Sequence, residues 1–136
     1  MAKIGLFSGS REQWVPFDQD TEFLIKFLPL SERRSIAERA EAAAARTRRN
    51  RSLVVAQQIG RVACLGWRHI TKPGHPGLTC PDGTPIPFTP ENLDMLMEHV
   101  SEVNNFILEA CADSATYLDQ DDADREQERE RDQKNA

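Results

Sequence analysis

Apolar side chains alternate with polar ones early in the chain and recur at helical spacing later, with Pro29 at the change of period. Trp14-Val15-Pro16-Phe17 leads into the turn-prone cluster Asp18-Gln19-Asp20. Thr21–Leu28 follows, placing Phe23, Ile25 and Phe27 on one face of an extended segment and Glu22, Leu24, Lys26 and Leu28 on the other. This pattern predicts a β-hairpin over about 13–28, with Pro16 on an edge or at a bulge because it has no N–H to give the ladder. Beyond Pro29, Ser31 is the expected N-cap of a helix over about 32–48. That helix is rich in Ala, Arg and Glu, and Ile36 is its only bulky apolar side chain. It ends in a basic run, Arg46-Thr47-Arg48-Arg49-Asn50-Arg51. A second helix is predicted over about 52–65, with Val55, Ile59, Val62 and Ala63–Leu65 toward the core, Gln57, Gln58 and Arg61 opposite, and Gly66 closing it.

Residues 71–85 carry successive turn signals, Lys72-Pro-Gly-His-Pro-Gly77 and Pro81-Asp-Gly-Thr-Pro85. Thr89-Pro90-Glu91 then opens a helix with a hydroxyl at N-cap and proline at N1. Leu93, Leu96, Met97, Val100, Val103, Ile107 and Cys111 continue at helical spacing, which predicts a helix over about 90–118, continuous or bent near Ser101. From Asp119 to Ala136 the chain carries twice as many acids as bases and no large apolar residue. Such a segment cannot offset its ordering entropy by burial and is expected to be a disordered acidic C-terminal tail. The fold class that follows is α+β, mainly α, with an N-terminal β-hairpin and three to four helices in one globular domain over 1–118.

Composition narrows the functional classes. The 136 residues are 39% hydrophobic and 29% charged, enough apolar material for one core. The central apolar stretch free of charge, Ser52–Gly60, is far short of the roughly 20 residues that span a bilayer. A net charge of -5 makes nucleic acid a poor default partner, and three widely spaced cysteines fit a reducing compartment better than a disulfide framework.

Candidate chemistry is sparse. Cys64, His69, His75 and Cys80 are zinc-ligand types, but their spacing lacks the close Cys-x-x-Cys pair that presents two thiolates together. Cys64 falls, besides, on the apolar face of the second expected helix, where a thiol behaves as a small hydrophobe. The serines and histidines form no nucleophile elbow or triad order, and Gly5–Ser10 lacks the lysine of a phosphate loop. No catalytic, cofactor-binding or metal-ligating residue is assigned, and no cofactor is expected. The arginines at 46–51 have no interleaved aromatic residue for base stacking. Two tryptophans, the neighbouring phenylalanines and an adaptable methionine pair remain as partner-binding candidates: Trp14, Phe17, Trp67, Phe88, Met95 and Met97. Met95 and Met97 lie on opposite sides of a helix, so one is expected to face outward.

The order of these pieces resembles a known family. Trp14-Val-Pro-Phe17, the strand Glu22–Pro29, an Ala/Arg-rich helix, an apolar helix ending in Gly66-Trp67, an Asp82-Gly83 loop and Phe88-Thr-Pro-Glu-Asn92 succeed one another as in the small tail assembly chaperones of long-tailed bacteriophages. The likeness covers about residues 12–112, with a longer Lys72–Thr79 loop in this chain. It implies a non-catalytic protein of the bacterial host cytoplasm that binds the tape measure protein, keeps it soluble while the tail tube assembles, and is absent from the mature virion. The major tail tube protein and a second copy of the chain are further implied partners. Readings from other classes are a structural tail completion or connector subunit, or a small nucleic-acid-binding regulator using residues 46–51.

Overall fold

The structure, a computed structural model, describes residues 11–113. The expected acidic tail over 119–136 and the last residues of the expected 90–118 helix lie outside this range. In chain order the elements are β1 (Glu12–Pro16), β2 (Thr21–Lys26), α1 (Leu30–Thr47), α2 (Arg51–Ala63), β3 (Cys64–His69), α3 (Pro90–His99) and α4 (Ser101–Ala112). The fold is α+β and mainly α, as the pattern predicts, with one strand more than the hairpin.

The hairpin forms where the alternation places it. Asp18 Oδ1 accepts the N–H groups of Asp20 and Thr21 at 2.8 Å each, which closes the turn. Phe17 N donates to Thr21 O, and Phe27 N donates to Arg11 O. Odd-numbered residues of β1 therefore face β2, and Pro16 turns its missing donor to the free edge, where it forfeits no ladder bond. Phe23 and Ile25 are fully buried on the inner face. Each such side chain stabilises the fold by about 1.5–3 kcal/mol on burial. Leu28 is buried too, because the strand ends at Lys26 and its alternation no longer applies.

The second expected helix is shorter than its spacing suggests. It ends at Ala63 without using Gly66, and Cys64–His69 pairs antiparallel with β2 to give the sheet order β1-β2-β3. The cause is a bulge in β3. Leu24 pairs with Gly66 but Ile25 pairs with Cys64, so Leu65 is the extra residue and is turned outward. Cys64 and Trp67 consequently both point into the core, three residues apart, a spacing that imitates a helix. Cys64 is thus a strand residue rather than part of a helical face.

Helix α1 starts one residue before the expected cap. Pro29 takes the N-cap position with no side-chain cap, leaving Ser31 exposed inside the first turn. Arg33 Nε donates instead to Leu28 O at 3.1 Å. At the other end Arg48 adopts left-handed geometry, φ 56°, with its N–H on Ala44 O. Asn50 then caps α2 through Leu53 N. The two helices meet through Ala40, Ala44 and Val54. The buried face of α2 is Val54, Ala56, Gln57, Gly60 and Ala63, rotated from the one its apolar spacing suggests. Gln57 is inside because its Nε2 donates to Asp94 O and its Oε1 accepts from Arg49. Val55 and Ile59 are only half-buried, and Val62 is exposed.

Thr89 caps α3 as expected, its Oγ1 accepting Asn92 N at 3.0 Å. The C-terminal pattern is two helices, broken at Val100, whose backbone is extended. Asn104 Nδ2 bridges the break by donating to Met97 O. Leu93, Leu96, Met97, Val103, Ile107 and Cys111 form the buried stripe against α2 and the sheet, and α4 ends at Ala112.

Candidate functional site

The sequence-derived candidates separate into covered and uncovered groups. Phe17, Trp67 and Phe88 converge on one aromatic cluster inside the domain. Phe23 lies 5.2 Å from Phe17 and 5.6 Å from Trp67 between ring centroids, and Phe88 meets Trp67 edge-on at 4.8 Å. Phe106 of α4 completes the cluster against Phe17 and Phe23. Trp67 Nε1 donates to Ile86 O at 2.8 Å, which ties the long loop after β3 onto the core. Gly77 brings the same loop against the sheet, its carbonyl accepting from the buried Thr21 hydroxyl at 2.9 Å. Met97 is buried against Gly60, whereas Met95 stands 42% exposed on the opposite side of α3.

Trp14 is on the outer face of the sheet. The Arg68 guanidinium lies over its ring, 3.8 Å from the centroid, and also donates through Nε to Glu22 at 2.6 Å. Gly66 lies across from Trp14 by way of Leu24, so no side chain competes for the space beside the indole.

The metal-ligand types are differently engaged. His69 Nδ1 accepts Thr71 N and Lys72 N, and His75 Nδ1 accepts Gly77 N. Burial pushes the Cys64 thiol up to about 12. Cys111 is raised as well, chiefly by burial and in spite of nearby Arg33. Among the described residues no three His, Cys, Asp or Glu side chains are grouped to hold a metal ion.

The feature that inspection of the sequence misses is a cleft. α1 and α4 both flank α2 without packing closely on each other. Between them lie two adjoining hollows of about 250 and 330 Å³ that share Ile59 of α2 and Leu108 of α4. Val55, Ala56 and Ala37 extend the apolar lining. Arg33 and Arg34 at one end and Arg51 at the other reach the rim, against a single carboxylate among the described residues, Glu41. The signal that could have found it is the Val55–Ile59 pair: i, i+4 apolar residues that belong to a core by spacing yet remain half-exposed. A third hollow, between Val15 of β1 and Phe106 and Glu109 of α4, reaches Asp113, the last described residue.

The fold and the cleft together define a small α+β domain with an open apolar groove among three helices. The chain belongs to the YdaY prophage protein family, whose profile matches residues 27–128. Its origin is accordingly phage or prophage. No curated protein and no solved structure matches the chain. Among the described residues no helix is long and apolar enough to cross a membrane.

Proposed function

We propose that this chain is a phage tail assembly chaperone that binds the tape measure protein and keeps it soluble while the tail tube assembles. The observation that carries this reading is the cleft of α1, α2 and α4: half-buried Ile59 and Leu108 between charged rims, in a protein of prophage origin. A holdase needs apolar surface that a client helix can meet, with charge around it to prevent self-association. The order Trp14-Val-Pro-Phe17 … Asp82-Gly83 … Phe88-Thr-Pro-Glu-Asn92 supports the same family of function. The protein works without a cofactor and without catalysis. Supporting this are two thiols held protonated by burial and two imidazoles whose Nδ1 atoms are engaged by loop N–H groups. Its place of action is the host cytoplasm, and it leaves before the virion is complete.

Co-expression with the tape measure gene of the same prophage tests the reading. The long client is expected to stay soluble only with this chain present and to co-purify with it. A client that aggregates regardless, with nothing retained, sinks the proposal. Mass spectrometry of purified virions separates the structural alternative: a completion or connector subunit is found there, a chaperone is not.

A nucleic-acid-binding role through Arg46–Arg51 is the second reading, favoured by Arg46, Arg48 and Arg51, which pair with no carboxylate among the described residues. It demands binding that weakens steeply with salt.

A further inference from the structure

The geometry points to the α1/α2/α4 cleft as a docking groove for an amphipathic helix whose flanks are acidic. This deepens the chaperone reading and rests on it for the nature of the client. Three observations define the ligand. The floor is apolar and half-exposed, centred on Ile59 and Leu108. The rim is cationic: among the described residues neither Arg34 nor Arg51 pairs with a carboxylate, and Glu41 is the lone acid of those that line the groove. Finally, α2 opens into one end of the groove with Arg51 and Ser52, and its first turn has no acid. A helix N-terminus ordinarily attracts carboxylates, so Arg51 there adds its charge to the positive end of the α2 dipole instead of neutralising it. Half-exposed apolar floor, unpaired arginines and an undischarged helix end all favour an occupant with an apolar stripe bordered by glutamate or aspartate. A neutral or basic helix meets the same floor but gains nothing from the rim.

Two synthetic helical peptides with one shared Leu/Ala stripe provide the test, one flanked by glutamates and one by lysines, labelled and titrated with the full-length chain by fluorescence anisotropy at low salt. The glutamate peptide is expected to bind about tenfold or more tighter than the lysine peptide. Combined Arg34→Glu and Arg51→Glu, at exposed positions that leave the circular dichroism unchanged, is expected to abolish or reverse that preference. Equal affinities, no binding of either peptide, or a preference that survives the charge reversal overturns the groove's assignment. A second variant addresses the chain's own carboxylates, with Asp119, Asp121, Asp122 and Asp124 changed to Asn. Unchanged peptide affinity supports an external client; an increase of about tenfold overturns it in favour of an occupant from this same chain. These affinities do not involve the tape measure protein, so a failed co-expression leaves them standing, and a failed titration leaves the co-expression result standing.

Discussion

The two sides of α2 are built on different principles. Toward the sheet, α3 and α4, the domain uses large side chains: Phe23, Trp67, Phe106, Leu93 and Ile107 interlock with rings in tilted and edge-on contact. Toward α1 it uses mostly methyl groups, Ala40 and Ala44 against Val54, with Ile36 as the one bulky side chain of α1 that reaches the large core. Large rings remove much apolar area from water per residue, so the first side supplies most of the hydrophobic stabilisation. The alanine seam lets two helices approach closely but contributes little area, so α1 depends on the Ile36 anchor, on intrinsic helix propensity and on its ends. The contrast separates a base packed with rings from an arm seamed with alanine, and the cleft lies where that arm diverges from α4.

Substitutions can break or sharpen this contrast. Phe23→Ala removes the ring shared by Phe17, Trp67 and Phe106 and is expected to destabilise the whole domain by about 3–5 kcal/mol, read from the urea midpoint at constant slope. Gly77→Ala comes next. Its φ of +84° disfavours any side chain, and an added Cβ falls 2.8 Å from the Thr21 hydroxyl and 3.0 Å from the Arg68 backbone. A loss of about 2 kcal/mol or more is expected, with the indole fluorescence of Trp67 changed because the loop that holds it is lifted.

On the arm, Ala44→Leu overpacks the seam and costs about 1–3 kcal/mol. Hydrogen exchange decides how that loss is distributed: α1 amides are expected to exchange faster while those of β2 keep their protection. Uniform acceleration in both would mean that base and arm open as one unit. The smallest change runs the other way. Arg48 is the one non-glycine residue with positive φ among those described, and Arg48→Gly is expected to stabilise the chain by up to about 1 kcal/mol.

What could be read from the chain alone follows the range of the interactions. The hairpin, the Thr89-Pro90 helix start and the stripe from Leu93 to Cys111 rest on local alternation, capping and periodicity, and all appear in the fold. The pairing of a third strand with the hairpin, and its start at Cys64, were not legible, because a bulge at Leu65 gives Cys64 and Trp67 helix-like spacing. Ser31 loses the cap to Pro29, and Gln57 is buried through a carbonyl thirty-seven positions away. The cleft needs three elements at once. Its floor residues, Ile59 and Leu108, carry the same apolar signature as core residues, and only the assembled helices reveal that nothing among the described residues fills the space over them. Of the partner-binding candidates, Trp67 and Met97 are covered in this conformation, while Met95 remains at the surface.

The three cysteines sit at graded depth: Cys80 half-buried, Cys64 and Cys111 sealed in the core. Only a thiolate reacts readily, and in the folded chain the Cys64 thiol keeps its proton up to about 12. The chain therefore carries a chemical clock of its own opening. An alkylating reagent marks Cys80 first and the inner pair only in molecules that have come apart, so the count of modified thiols per molecule sorts intact from opened copies. The same protonation has a pH sign. The unfolded thiol releases its proton near the ordinary value of 9.0 and the folded one does not, so this contribution to stability is whole below pH 9 and is lost as pH climbs toward 12.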